Sequence, residues 1–308
     1  MIFKRKGLAY CLESIGKWIA SILFFLRLFI KENFKDYIRK NKPKKLSRDM
    51  IILANGPSLK DSLKDIVSDI SLYVKTDFFV INDFSASDEY DKIHPVFYAL
   101  SDSKYFVDTI YKEQSERTLR LIDEKTTWSM YLYIPFKYYK SFLRKKVINN
   151  PLIKVVPFHS LRFWGLDSMR MYVYKKGLGN GEFGTVVINA IYVSIVLGFK
   201  NIFLYGIDHN FFDGLFVTKD NVLCYKYAHF YDDKEPEIKP MISHHDGITQ
   251  PFTMQDFLVE KLDVFTGHVV MKRFSEYMGC NIWNATNNSL VDTYQRMNYI
   301  DYIKKHDS

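Results

Sequence analysis

The sequence predicts an α/β domain: a Rossmann-like, mostly parallel sheet with helices on both faces, a lid insertion, and an amphipathic helix ahead of it. Three observations predict it. Short apolar runs recur, each ending in polar residues, as strands buried on both faces do. The first run leads through a tight Asn55-Gly56-Pro57-Ser58 turn into a helical pattern. Four glycines between 177 and 184 lead into a largely apolar, helix-length run at 186–197.

The basic end comes first. The chain has 308 residues and a formal net charge of +8. Residues 1–48 hold 13 Lys+Arg against 3 Asp+Glu, a surplus of ten, and the remaining 260 are near −2. A nucleic-acid-binding surface spread over the whole protein does not fit that split. At 47% hydrophobic and 25% charged the composition is globular, not disordered. Cys11, Cys224 and Cys280 are odd in number and far apart, which fits a reducing compartment without a disulfide or zinc framework.

Within 8–35, Leu8, Leu12, Ile15, Ile19, Ile22, Leu23, Leu26 and Ile30 follow helical spacing. Lys6, Glu13, Lys17, Arg27, Lys31 and Lys35 fall on the opposite face, and Phe24 breaks the pattern. The uncharged run is too short to span a bilayer, which takes about 20 residues. The reading is a helix lying in an anionic membrane surface. The alternative is a helix packed on the protein's own core or on a partner. Residues 41–48 read as a linker. The expected division is therefore 1–48 as membrane helix and linker, and 49–308 as the catalytic domain.

In that domain, 50–54 (MIILA) is the first strand and 59–70 a helix. Residues 78–81 (FFVI) end at Asn82, and 96–100 (VFYAL) end at Ser101-Asp102. Runs at 131–134 and 153–156 suggest further strands, with a basic helix at 137–146 between them. After the apolar helix, 201–205 (NIFLY) ends in Gly206-Ile207-Asp208-His209. Residues 209–252 lack periodicity and read as a lid. A long helix follows at 254–278, then a last strand at 281–283 ending in Asn284-Ala285-Thr286, then a terminal helix or tail at 299–305.

Polar residues at these strand ends are the candidate ligand contacts, because open parallel sheets bind ligands at their carboxyl edge. Gly56 lets a backbone approach a ligand, and Ser58 can cap the following helix, whose N–H groups favour phosphate. The same residues suit an ordinary strand–helix turn. The glycine loop, with Gly181, Gly184 and Thr185, can wrap an anion or pass close to a sugar. It matches neither a P-loop nor a dinucleotide fingerprint. Asn82 and Asn284 can read a base or sugar through paired donor and acceptor. Asp102, Asp208, His209 and Thr286 sit at the same edge. Of the lid histidines His209, His229, His244 and His245, one is the candidate general base, and Tyr227 and Tyr231 can donate to a phosphate. Their spacing fits no familiar zinc arrangement.

Apolar strand–NGPSL–helix, strand–IND, the glycine loop and "LGFKNIFLYGIDHNF" together resemble bacterial sialyltransferases of glycosyltransferase family 42. They also resemble the wider group that holds 6-hydroxymethylpterin diphosphokinase-like proteins and flagellin nonulosonate transferases. The similarity is stronger, through His229-Phe230-Tyr231-Asp232 and Asn284-Ala285-Thr286, to uncharacterised proteins of surface-polysaccharide clusters. It spans about residues 50–295.

The resemblance implies a GT-A-variant fold and donor contacts from Asn55, Gly56, Ser58 and Asn82 to the CMP part of a CMP-sugar. Gly184-Thr185 take the place of the family's donor-binding Ser-Gly pair, and the catalytic His falls in the lid, where His229, His244 and His245 all lie. Where the family has a Tyr two positions past Gly-Ile-Asp, this chain has Asn210. The implied reaction is inverting and metal-independent, in accord with the missing D-x-D, with no cofactor beyond the CMP-sugar donor substrate. The implied acceptor is a glycan or lipid-linked glycan of a bacterial surface polysaccharide. The place is the cytoplasmic face of the inner membrane, with a homo-oligomer left open. Competing expectations are an ATP- and Mg²⁺-dependent diphosphokinase-like enzyme and a non-catalytic scaffold of a polysaccharide assembly complex.

Overall fold

Residues buried on both faces of a strand leave no room for polar side chains, and the apolar runs of this chain become the strands of one sheet. The computed structural model describes residues 2–107, 111–180, 183–227, 237–245 and 248–306. The chain opens with α1 (Ile2–Lys31) and a short α2 (Tyr37–Lys40). Then follow β1 (Asp49–Leu53), α3 (Leu59–Ser68), β2 (Thr76–Ile81), α4 (Tyr90–Ile93), β3 (Phe97–Ala99), α5 (Lys112–Lys125), β4 (Met130–Pro135), α6 (Phe136–Lys145) and β5 (Ile153–Phe158). Next are α7 (Asp167–Lys175), α8 (Val186–Leu197) and β6 (Asn201–Tyr205). The expected lid holds β7 (Leu215–Val217), β8 (Leu223–Tyr227), β9 (Glu237–Pro240), β10 (Ile242–His245) and β11 (Ile248–Pro251). The chain ends with α9 (Met254–Met278), β12 (Asn281–Asn284), β13 (Gln295–Arg296) and α10 (Tyr299–His306).

Eight strands form one sheet in the order β13-β12-β6-β1-β2-β3-β4-β5, and every pairing is parallel. The order runs outward from β1 to β5, then restarts on the other side of β1 with β6. That reversal is the topological switch point of an open parallel sheet. The predicted α/β, doubly wound fold is therefore observed. Alternate residues of β1 serve opposite layers: Met50 and Ile52 pack with α8, Ile51 and Leu53 with α3. All twelve residues of α8 are buried, as a helix apolar on every side must be. Thr253 and Asp256 form a capping box at the start of α9, and Gly279 ends it in the left-handed region.

Two regions differ from expectation. The segment 209–252 is not without regular structure. It carries a three-stranded antiparallel sheet, β7-β8-β9, and a β10–β11 hairpin. The second difference is that the polar side of α1, expected to meet headgroups, packs on the body. Among its residues whose burial is described, Ser21, Phe24 and Leu28 are buried, spaced 3 and 4 apart on the polar side of the helix. The apolar stripe points away from the body: Ile22 is 64% exposed, Leu26 51% and Phe29 72%. Phe24, the residue that breaks the stripe, is the anchor, edge-on to Phe163 at 5.0 Å. Ser21 Oγ accepts from the Leu166 N–H at 3.1 Å. Gly165 lies so near that a Cβ there would sit 2.0 Å from that oxygen. Beyond α1, His159 meets Glu32 through Nδ1 and the Lys35 carbonyl through Nε2, the latter at 2.8 Å. Among the described residues, no helix is long and apolar enough to cross a membrane.

Candidate active site

At the carboxyl ends of β2 to β5 the sheet opens into a cleft of about 400 Å³. Asn82, Ser101, Asp102, Pro135 and Ser160 line it from successive strand ends, and Lys137 and Tyr138 from α6. Phe183, Gly184, Thr185, Val186 and Asn189 close it from the start of α8. Two sequence segments about a hundred residues apart, the Asn82 turn and the glycine loop, are thus brought together as expected of a ligand edge.

Asn82 sits at φ +49°, a left-handed backbone that Asn tolerates better than most residues. Its carbonyl accepts from the Tyr98 hydroxyl. The next residue, Asp83, is buried, and its carboxylate accepts from Lys104 Nζ at 2.9 Å, Tyr105 Oη at 2.8 Å, Gln114 Nε2 at 2.9 Å and Thr118 Oγ1. Burial alone would raise this carboxyl's pKa. The Thr118 bond, the Lys104 charge and bond, and the Tyr105 bond outweigh it and hold the group below the usual carboxylate range.

The buried amide oxygens of Asn82, which lines the cleft, and of Asn55, which does not, have no hydrogen-bond partner, although Asn55 Nδ2 donates to the Ile81 carbonyl at 3.2 Å. A buried acceptor left unpaired costs about 1–3 kcal/mol, so two at adjacent strand ends call for donors from a ligand or water. A third, Asn180 Oδ1, ends a chain in which Asn180 donates to Asn189 at 2.7 Å and Asn189 to Ser101 at 2.8 Å. Asn189, Asn180, Ser160 and Lys137 were not singled out from the sequence. The available signal was one amide in the first turn of an otherwise apolar helix.

Gly184, at φ +66°, turns the chain into α8, and Thr185 caps it by accepting from the Val187 N–H at 3.4 Å. The cap takes one of the four N–H groups that a helix start leaves unpaired, and the positive end of α8 borders the cleft. Gly181 lies outside the described residues. Asp102 is exposed, and its carboxylate accepts from the Lys104 N–H at 3.1 Å while lining the cleft.

The NGPS turn is different from expectation. Ser58 does not cap α3. Its N–H and hydroxyl both donate to the Asp208 carboxylate, at 3.1 and 2.8 Å. The anion at this helix start is the protein's own side chain, so a ligand phosphate is not accommodated there without displacing it. Burial raises the Asp208 pKa, against the Ser58 bonds. Gly56 serves this packing. Its N–H donates to Gly206 O at 2.9 Å, and a Cβ on Gly56 would lie 1.9 Å from Asp208 Oδ2 and 2.5 Å from Gly206 O. Gly56→Ala is therefore expected to lower stability by about 1–3 kcal/mol, as overpacking does, read as a lower urea midpoint with an unchanged slope.

Asn284 and Thr286 also spend their polar atoms internally. Asn284 donates to the Val291 carbonyl at 2.9 Å and accepts from the Thr286 N–H at 3.0 Å. Thr286 Oγ1 donates to the Leu204 carbonyl and accepts from the Ile207 N–H, both at 3.1 Å. They tie the chain that follows β12 to the end of β6, and neither lines the cleft. His209 pairs through Nε2 with His268 Nε2 at 3.0 Å. Of the lid residues, His229 and Tyr231 lie outside the described residues. His245 is the last residue of β10, opposite Ile248.

No protein-family model matches the chain, and no curated protein matches it in sequence. Among solved structures, the MAf glycosyltransferase from Magnetospirillum magneticum AMB-1 aligns with a TM-score of 0.44 and 14% identity, over 83% of this chain and 34% of that one. This chain thus spans about a third of that protein's length. The assignment of the fold rests on the chain's own sheet topology.

Proposed function

We propose that this chain is a glycosyltransferase that moves a sialic-acid-like sugar from a CMP-activated donor to a glycan or lipid-linked glycan. The observation that carries the reading is the cleft over β2–β5, with the unpaired Asn82 acceptor on one side and the α8 start on the other. Ribose hydroxyls or the cytosine amine supply donors to Asn82. The phosphate and sugar carboxylate suit the positive end of α8. At about 400 Å³ the cleft matches a nucleotide-sized ligand rather than a polymer. The resemblance to family 42 points to the same donor.

The outward stripe of α1 supports a place at a membrane surface. Leu12, Ile15, Ile19, Ile22, Leu26 and Ile30 face away from the body, which leaves them to acyl chains, and the surplus of ten charges in 1–48 suits anionic headgroups. A lipid-linked acceptor is met there.

The test is thermal unfolding of the full chain with CMP, UDP, GDP or ATP, each with and without a chelator. CMP is expected to raise Tm in both conditions, by the equivalent of about 2.7 kcal/mol at a hundredfold excess over Kd. Asn82→Ala is expected to remove most of that shift. Stabilisation by ATP only with Mg²⁺, and none by CMP, would replace this reading with the diphosphokinase one.

A further inference from the structure

A second pocket, of about 580 Å³, opens past the end of α1. Phe34, Asp36 and Arg39 line it from α2 and the stretch before it, and Tyr172, Lys175 and Lys176 from the end of α7. It shares no residue with the cleft over β2–β5.

The charge of this pocket is unbalanced. Three cations share it with one carboxylate, Asp36, which is already bound. Asp36 accepts from Arg39 Nη1 at 2.6 Å and, as the cap of α2, from the Arg39 N–H at 3.0 Å. Gly177, at φ +70°, brings the chain close against it: a Cβ there would sit 2.7 Å from Asp36 Oδ1. Among the described residues, no carboxylate lies within ion-pair distance of Lys175 or Lys176. Lys175 Nζ lies 5.7 Å over the Tyr277 ring and Lys176 Nζ 5.6 Å over the Tyr172 ring.

Lysines at a helix end commonly serve its unpaired carbonyls. Here those carbonyls have backbone partners. The carbonyls of Tyr172, Tyr174 and Val173 accept from the N–H groups of Lys176, Gly177 and Leu178, at 3.0, 3.0 and 3.1 Å. The two ammonium groups are therefore available to an anion.

The pocket also adjoins the apolar side of α1. Phe34, in its wall, is 52% exposed and stacks on Phe25 at 6.4 Å. Phe29 and Ile30, at the end of α1, are exposed as well. An apolar path thus leads into a cationic site. A free phosphate would use the cations and leave these side chains in water, whereas a lipid uses both.

We propose that this pocket binds the phosphate or diphosphate headgroup of a membrane lipid, whose acyl chains lie beside Phe29, Ile30 and Phe34. The proposal rests on the membrane placing of α1 and goes beyond it. The stripe and the basic end account for adhesion to any anionic surface, and the pocket for a choice of headgroup. A terminal phosphate carries nearly two charges at pH 7 and a phosphodiester one, so two lysines without carboxylates favour the former. The segment from Leu178, in the pocket, to Phe183, in the cleft, joins the two sites. Five residues of chain span at most about 18 Å. A glycan carried on the bound phosphate is therefore within reach of the cleft, which suits the lipid-linked form of the acceptor.

The test is flotation of the full chain with phosphatidylcholine vesicles that carry either phosphatidic acid, a phosphomonoester, or phosphatidylglycerol, a phosphodiester, at matched surface charge. Wild type is expected to bind the phosphomonoester vesicles about tenfold tighter, the effect of one further charge-assisted hydrogen bond. Lys175→Gln with Lys176→Gln is expected to bring the two affinities within about twofold. Both side chains are exposed, so Tm should not change. Lys140→Gln with Arg144→Gln removes the same charge from α6, which packs on the opposite face of the sheet from α1, and is expected to keep the preference. A preference that survives in the Lys175 and Lys176 double variant, or is absent from the wild type, overturns the proposal. Stabilisation by inorganic diphosphate that needs the two lysines, without any vesicle preference, would assign the pocket to a soluble anion and overturn the lipid. No binding to any vesicle overturns the membrane placing of α1 as well, whereas the glycosyl-transfer reading stands or falls separately on the response to CMP.

Discussion

Deleting residues 1–48 is expected to abolish cooperative folding. The deletion leaves β1 intact but removes Phe24, Leu28 and Ile38, all in the main core and at most 3% exposed. Truncating a buried Phe costs about 3–5 kcal/mol and a buried Leu or Ile about 2–5. Together these approach the whole stability of a typical domain, about 5–15 kcal/mol. The deletion also takes the Glu32 and Lys35 partners of His159, a fully buried ring next to cleft residue Ser160. Removing only residues 1–16 is a different experiment. Residues 12–16 contribute no buried side chain, so the body is expected to unfold within about 1 kcal/mol of wild type. That shorter deletion shortens the exposed stripe and is expected to weaken sedimentation with anionic vesicles. Urea unfolding followed by circular dichroism reads the first result. A 49–308 fragment that unfolds cooperatively at the wild-type midpoint would refute it.

The two deletions separate what the sequence makes legible from what it hides. Helical periodicity shows that residues 8–35 have an apolar and a polar side, but not which side meets the body. The deciding feature is the fit of Ser21 and Phe24 to Gly165 and Phe163, over a hundred residues away, which no local pattern encodes. The same holds at the NGPS turn. A Gly-Pro-Ser at a helix start reads as an anion site, and only the fold brings Asp208 there. Seven of the eight strands of the sheet were legible because burial forces apolar runs, whereas the two exposed polar residues of β13 were not, and α8 and α9 were because their lengths and ends are plain. α5 was not, because Ser115 and Thr118 fill two of its buried positions and erase the apolar stripe. The strands β7 to β11 have three to five residues each, too few to show a period. Of the site, Asn82 and Gly184 were legible from their strand end and glycine loop. Asn189 and Asn180 were not, since each depends on a tertiary neighbour.

Asp83→Ala is expected to destabilise the protein by about 3–5 kcal/mol, the cost of breaking a buried pair by removing one partner. The variant leaves the Lys104 ammonium, 13% exposed, without its counter-charge, and takes one acceptor from Tyr105, Gln114 and Thr118. A fall in Tm on the order of 10 °C is expected. The pH dependence has a definite sign. The folded pKa of Asp83 is lowered, so its contribution is complete above the unfolded value and is lost as pH falls through the folded one. The gap between wild type and Asp83→Asn is therefore expected to be constant near neutrality and to shrink at acid pH, below the ordinary carboxylate value of 3.8. Asp83→Asn with Lys104→Met removes both charges, and should recover most of the stability if the stranded ammonium is the main cost. That double variant then isolates the role in binding. Asp83 is the residue after Asn82, whose left-handed backbone is fixed on the other side by Tyr98. If the Asp83 cluster aims the Asn82 amide into the cleft, the double variant should fold well and still bind CMP more weakly than wild type. Wild-type CMP affinity in a well-folded double variant would mean that Tyr98 alone holds Asn82 in place.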